Sequence, residues 1–250
     1  MSETMKPIEA QSYTKMTAEI YDALYAGKDY EDEAKILTGL IDKYGQTDGN
    51  DLLDVACGTA AHVPFLKDKF KVTGVDLSEE QLVAARKRLP DLEFVRGDMR
   101  NFDLHRQFDA VTCLFSSIGY VHPLPEMEKA VGNMAHHLKP GGVLIIEPWL
   151  QPGVFDPNRP PHTETGEGNG FTVKRTAHVG LDGNISIMNM HHVIERPEGT
   201  TEFTEEHRLA LYTPDEYQQA FVAAGLSFEH LEEGLSAGRG LYIGTKQVAE

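Results

Sequence analysis

Between residues 51 and 147, short apolar runs alternate with segments whose apolar side chains recur every three or four positions. The runs fall at 51–56, 71–75, 93–96, 110–115 and 143–147, and Gly, Pro or acidic residues bound them. Unbroken runs of Val, Ile, Leu and Phe at this length suit strands buried on both faces of a parallel sheet. Between them, Ser78-Glu79-Glu80-Gln81 reads as a capping box, with Ser78 as N-cap and Gln81 reaching back from the third helical position. Leu82, Ala85 and Leu89 then follow at helical spacing, and Pro90 stops the run. A further helix is predicted over 126–138, closed by Lys139-Pro140-Gly141-Gly142 as a turn into the next strand. This alternation predicts an α/β fold with a Rossmann-like, doubly wound, mostly parallel sheet.

The pattern changes after Trp149. Residues 150–170 hold Pro152, Pro157, Pro160, Pro161, Gly166, Gly168 and Gly170 and read as a loop. Period-two alternation over 171–178, 185–194 and 203–212, with Gly-containing turns between, predicts an antiparallel β insertion after the fifth strand. Thr213-Pro214-Asp215-Glu216 then opens a helix with Thr213 as N-cap, Tyr217, Ala220, Phe221 and Ala224 as its apolar stripe, and Gly225 at its end. Segments 228–231 and 241–245 predict a terminal hairpin on the main sheet, and 12–40 reads as helices that close over its ligand-binding edge. The expected organisation is N-terminal helices and cofactor-binding core over 1–149, an insertion on the substrate side over 150–212, and a C-terminal helix and hairpin over 213–250.

At 250 residues, 40% hydrophobic and 25% charged, the chain can bury a full core. A net charge of −16 argues against nucleic acid as a partner, because that binding rests on cations neutralising phosphates. No apolar run approaches the ~18 residues of a membrane span, and the N-terminus lacks a signal-peptide core. The two cysteines, Cys57 and Cys113, fall at the ends of predicted core strands, as buried free thiols of a cytoplasmic enzyme would. No CxxC pair is present, and the adjacent histidines His136-His137 and His191-His192 lack companion acids at ligand spacing, so no metal site is expected.

The chemistry is concentrated at the strand ends. Leu52-Leu53-Asp54-Val55-Ala56-Cys57-Gly58-Thr59-Ala60 is a strand entering a small-residue turn, and Asp76 and Asp98 follow the next two strands. A Rossmann-like sheet holds an adenosine-containing cofactor across this edge. An acid in the first turn opposes pyrophosphate and suits a cofactor bearing a cationic amine or sulfonium. A dehydrogenase is disfavoured further because Gly-x-Gly-x-x-Gly is missing from the turn.

Asp54-x-Ala56-x-Gly58-x-Ala60, Asp76, Gly97-Asp98-Met99-Arg100 and Leu138-Lys139-Pro140-Gly141-Gly142 in this order resemble the signatures of class I S-adenosylmethionine-dependent methyltransferases. Tyr13, Tyr21-Asp22, the 110–119 run ending Phe115-Ser116-Ser117-Ile118-Gly119, Glu147-Pro148-Trp149 and Gly238-Arg239-Gly240-Leu241 narrow the resemblance to N,N-dimethyltransferases of TDP-linked amino deoxysugars. The resemblance implies S-adenosylmethionine as cofactor, Asp76 on its ribose hydroxyls and Asp98 on its adenine amine beside Met99. It also assigns Tyr21, Asp54, Ala56, Gly58, Leu77 and Phe115 to the cofactor. Relatives carry His directly after Ser-Ser-Ile-Gly, where this chain has Tyr120, with His122 two residues later. Tyr13, Tyr120 and His122 are therefore the candidates for handling the amine.

Among the plausible cations for a diphosphate, Arg239, between two glycines, is the strongest; Arg175 and Arg208 read more as sheet-face charges, and Trp149 is a candidate for stacking on a sugar or base. The expected function is N-methylation of a small molecule, a nucleotide-linked amino sugar first and another amine or hydroxyl acceptor second, with a non-catalytic cofactor-binding protein as the rival class. Family members often pair, so a homodimer is compatible with the resemblance; the rest of the expected partners are small molecules.

Overall fold

The computed structural model describes residues 15–236 and 238–248. Five parallel strands, β1 (Asp51–Val55), β2 (Lys71–Asp76), β3 (Glu93–Arg96), β4 (Phe108–Cys113) and β5 (Leu138–Ile146), alternate with helices in the first part of the chain. The helices are α1 (Lys15–Leu24), α2 (Tyr30–Tyr44), α3 (Val63–Leu66), α4 (Glu79–Arg88) and α5 (Leu124–His136). Four long strands follow, β6 (His162–Gly168), β7 (Phe171–Asp182), β8 (Ile185–Arg196) and β9 (Gly199–Ala210). Helix α6 (Pro214–Ala223) and the hairpin of β10 (Glu229–Leu231) and β11 (Leu241–Thr245) end the chain.

The main sheet has the order β10-β11-β5-β4-β1-β2-β3, with β11 antiparallel to β5. Strand order reverses between β1 and β4, and that crevice at the carboxyl ends of the strands is where doubly wound sheets bind ligands. Successive residues of the apolar runs feed opposite faces. Leu53, Val55, Val111 and Ile146 pack under α5 and α6, while Leu52, Ala110, Val143 and Ile145 pack under α2 and α4. Burying each of the Leu, Val and Ile side chains contributes about 1.5–3 kcal/mol, which holds the strand ends, and the side chains on them, in fixed positions.

Two expectations about local structure change. The Lys139–Gly142 segment is a bulge inside β5 rather than a turn before it, since Leu138 pairs with Phe108 and Val143 resumes pairing at Ala110. The 150–170 stretch contains a strand: β6 pairs along β7, so the antiparallel sheet has four strands in the order β6-β7-β8-β9. Gly166 and Gly168 lie within β6, and Gly170, at φ 81°, makes the turn into β7. A Cβ on Gly166 would lie 2.3 Å from the Ala23 carbonyl oxygen of α1, so glycine is what lets helix and strand touch backbone to backbone. Ile20, Val173 and Ile194 close the apolar contact between α1 and this sheet. Among the described residues, no helix is long and apolar enough to cross a membrane.

Candidate active site

The turn after β1 is built from left-handed backbone at alternate positions, with φ of 57° at Ala56, 56° at Gly58 and 59° at Ala60. Only small residues tolerate this conformation repeatedly. The turn is pinned to β2: Cys57 donates its N–H to the Val75 carbonyl at 3.1 Å and Gly58 donates to Asp76 Oδ2 at 2.8 Å. Ser78 donates its N–H to Asp76 Oδ1 at 2.8 Å. Both Asp76 oxygens are thus oriented by backbone, with lone pairs left for a ligand.

Asp54 is 3% exposed and accepts the Thr112 hydroxyl at 3.0 Å. Burial pushes its carboxyl up to about 6, with the nearby Asp76 adding to the rise against His62 and Thr112. Burial likewise raises Asp76, against its three backbone hydrogen bonds. Two desolvated acids beside one cavity make a place that favours a cation. At Asp98, burial would raise the carboxyl, but the Arg100 guanidinium chelating both oxygens holds it below its usual range. Arg100 is held in turn by Glu126 at 3.3 Å.

One cavity collects all nine residues expected around the cofactor. Asp54, Ala56 and Gly58 come from the first turn, Asp76 and Leu77 follow β2, and Asp98 and Met99 follow β3. Phe115 follows β4, and Tyr21 reaches in from α1. Gln81 is an addition that sequence patterning assigned elsewhere. Ser78 caps α4 as expected, accepting the Gln81 N–H at 3.3 Å, but the Gln81 side chain is buried against this cavity with its amide nitrogen and oxygen both unpartnered. His62 is a second addition, held at 2.6 Å by Glu33 of α2, which Lys28 also binds. Asp22 of α1 accepts the Thr59 hydroxyl at 3.1 Å and pairs with Arg88, so the N-terminal helices are fastened to the first turn.

A second cavity adjoins the first, and Tyr21, Phe115 and Tyr120 belong to the walls of both. Phe115 and Ser116 are consecutive left-handed residues, at φ of 54° and 64°, a strained pair of the kind that persists only where neighbours enforce it. Buried Glu147 accepts the Phe115 N–H at 2.7 Å, and the Ser116 hydroxyl donates to the Pro148 carbonyl at 2.7 Å. Trp149 and Arg239 line the second cavity, with the Arg239 guanidinium 5.0 Å from the Trp149 ring and 3.9 Å from Glu147 Oε1. The Trp149 indole N–H donates to Ser186 Oγ at 2.9 Å, which fixes the ring.

Arg175 also faces this cavity, donating to the Tyr25 hydroxyl at 2.9 Å and pairing with Glu164. Arg159 adds a third guanidinium, from a Pro-rich segment that offered no pattern to mark it. Arg208 lies elsewhere, paired with Asp182 at 2.7 Å. His122 lines neither cavity; burial, then the charge of Arg208, lowers its pKa. A different histidine meets Tyr120: its hydroxyl is 2.6 Å from His207 Nδ1 on β9. His192 on β8 is 1% exposed, neither of its ring nitrogens has a hydrogen-bond partner, and burial pulls its pKa down to about 4. Tyr13 lies outside the described residues.

A methyltransferase-domain family profile matches residues 52–142. The chain is 42% identical to the dTDP-3-amino-3,6-dideoxy-alpha-D-glucopyranose N,N-dimethyltransferase of Streptomyces fradiae, across 93% of this chain and 91% of that protein. The crystal structure of DesVI from Streptomyces venezuelae superposes with a TM-score of 0.86 at 40% identity, covering 92% of this chain and 98% of the other. CalS10, an amino pentose methyltransferase from Micromonospora echinaspora solved with S-adenosylmethionine bound, gives a TM-score of 0.81 at 37% identity, with 91% and 97% covered.

Proposed function

Since the chain belongs to the S-adenosylmethionine-dependent N,N-dimethyltransferases of nucleotide-linked amino deoxysugars, we propose that its first cavity holds the methyl donor and its second a dTDP-linked amino deoxysugar. S-adenosylmethionine supplies a methyl group already activated by its sulfonium. The protein's own work is binding, alignment and proton handling.

The residues present fit that donor. Asp54 is a buried carboxylate beside another acid and is stabilised by any cationic amine placed against it. The two Asp76 oxygens, set by the Gly58 and Ser78 N–H groups, match a vicinal diol. The buried Gln81 amide, unpartnered at both atoms, offers a donor and an acceptor to the same ligand. Asp98, held by the Arg100 guanidinium and by the Arg100 backbone N–H, is the acid placed on the cavity wall for the adenine amine.

The observation that carries the substrate reading is the trio Arg159, Arg175 and Arg239 on one small cavity of a chain with a net charge of −16. Guanidinium forks match phosphate oxygens, and Trp149, locked by Ser186, supplies a flat face beside Arg239. Tyr120, on the wall shared by both cavities, is placed to orient the acceptor amine, with Tyr13 as the further candidate from the N-terminal segment. We place the enzyme in the cytoplasm, in keeping with two cysteines that are free thiols. TDP alone should compete with the amino sugar but not with the donor, and Arg239→Ala should weaken TDP more than tenfold. Unchanged TDP affinity in that variant would remove the phosphate role from Arg239.

A further inference from the structure

The structure sets an imidazole from another element of the fold against Tyr120. The loop after β4 brings the Tyr120 hydroxyl to 2.6 Å from His207 Nδ1, and the rings lie 5.9 Å apart between centroids. His207 Nε2 faces Glu205 Oε2 at 3.6 Å. Residues 205 and 207 are two apart on β9, so both side chains project from the same face of the strand. His207 is 4% exposed and Glu205 2% exposed.

Resting on the substrate reading above, we propose that Tyr120, His207 and Glu205 form a relay that removes the proton from the acceptor's ammonium group. The carboxylate behind Nε2 favours the imidazole tautomer protonated there, leaving Nδ1 to accept the Tyr120 O–H. When an ammonium N–H donates to Tyr120 Oη, that proton moves to the phenol oxygen as the phenol's own proton moves to Nδ1. The amine is left with its lone pair, Tyr120 is again a neutral phenol, and His207 becomes an imidazolium opposite the Glu205 carboxylate. No net charge is created, because the positive charge passes from nitrogen to nitrogen. The imidazolium then returns its proton to water when the product leaves. Each of two methyl transfers to one nitrogen needs this step, since the first leaves a protonated secondary amine.

The surroundings favour a device of this kind. Besides Glu205 and Tyr120, the titratable groups around His207 include His192 of β8, which lies under the influence of Arg175 of β7. Burial holds His192 in its neutral form, so that ring adds no positive charge beside the imidazolium. Tyr120 lines both cavities, whereas His207 and Glu205 line only the acceptor cavity, so the chain of groups leads away from the methyl donor.

The test is the pH dependence of turnover with a dTDP-linked amino sugar and its monomethyl form in Tyr120→Phe and His207→Gln. General acid–base catalysis contributes on the order of 100-fold or more, so kcat at pH 7 should fall about that much, recovering towards the wild-type value near pH 9.5. Monomethyl product should accumulate at pH 7. The double variant Tyr120→His with His207→Gln, which puts the imidazole directly on the amine, should regain at least tenfold over His207→Gln. Donor affinity by calorimetry should stay within about threefold of wild type and shows that the variants are folded. A deficit equal at every pH, no deficit, or a double variant no faster than His207→Gln would overturn the relay. Wild-type turnover of an unrelated amine with the same pH pattern would overturn the sugar reading and leave the relay standing.

Discussion

Asp54→Asn should make the ligand-free enzyme more stable while weakening its hold on the methyl donor. The wild-type carboxyl is buried and raised from its ordinary 3.8 to about 6. A group whose folded pKa lies above its unfolded one contributes stability that is complete below the unfolded value and lost as pH rises through the folded value. At ~1.4 kcal/mol per tenfold change in proton affinity, ionising Asp54 costs the folded state about 3 kcal/mol at pH 8. At pH 5, between the two values, the cost is about half of that. An amide does not ionise, keeps an oxygen for the Thr112 hydroxyl, and escapes the cost. Denaturant titrations of the ligand-free proteins should therefore favour the variant by about 3 kcal/mol at pH 8, with the gap halved at pH 5. Calorimetry should show the donor bound roughly 10- to 150-fold more weakly by the variant, since a charge-assisted hydrogen bond is worth roughly 1.5–3 kcal/mol. In the wild type, donor affinity should fall about tenfold per pH unit below about 6, as Asp54 takes up its proton. A variant no more stable than wild type at pH 8, or a gap that does not narrow at pH 5, would refute a desolvated charge at this position.

Asp76→Ala should weaken the donor at least 100-fold by calorimetry, because it removes the diol acceptors and strands the Gly58 and Ser78 N–H groups; unchanged affinity would take Asp76 off the ribose. Glu147→Ala leaves the half-buried Phe115 N–H without an acceptor in a strained left-handed residue, and should cost about 1–3 kcal/mol in thermal unfolding. Glu147→Gln keeps an acceptor and should retain most of that stability, so equal losses in the two variants would contradict the hydrogen-bond account. Gly166→Ala drives a Cβ into the Ala23 carbonyl, and should raise the KM for the donor and increase proteolysis of the N-terminal helices. Wild-type behaviour in both assays would show that α1 does not need this contact.

The core and the cofactor edge were legible because each carries a local mark. An apolar run followed by a small-residue turn or an acid places Asp54, Asp76 and Asp98 at strand ends, and a doubly wound sheet brings those ends together whatever the helices between them do. The capping box at Thr213 was legible for the same reason, being decided within four residues. What failed to show depends on contacts across the chain. β6 looked like a loop because Gly166 and Gly168 serve helix contact and a ring contact with Phe171, neither visible along the strand. Gln81 fits a capping box as well as a cavity wall, and only the packing of α4 decides between them. His207 and Glu205 lie in the polar run Thr204-Glu205-Glu206-His207-Arg208 of β9, which carries no alternation to separate a strand face turned to a wet cavity from one turned to bulk water. Arg175 read as a sheet-face charge for that reason, and it faces the second cavity. His122, expected near the amine from its place in the chain, sits beside the influence of Arg208 instead.

The central claim is that two joined cavities bring an activated methyl group to the amine of a nucleotide-linked sugar. Mass spectrometry of products from a panel of amino deoxysugars, each supplied free and dTDP-linked, with methyl-labelled S-adenosylmethionine, tests it most directly. The account predicts two labelled methyl groups on the sugar nitrogen of a dTDP-linked acceptor and far slower labelling of the free sugar. Equal labelling of free and nucleotide-linked sugars, or label on oxygen, would contradict it.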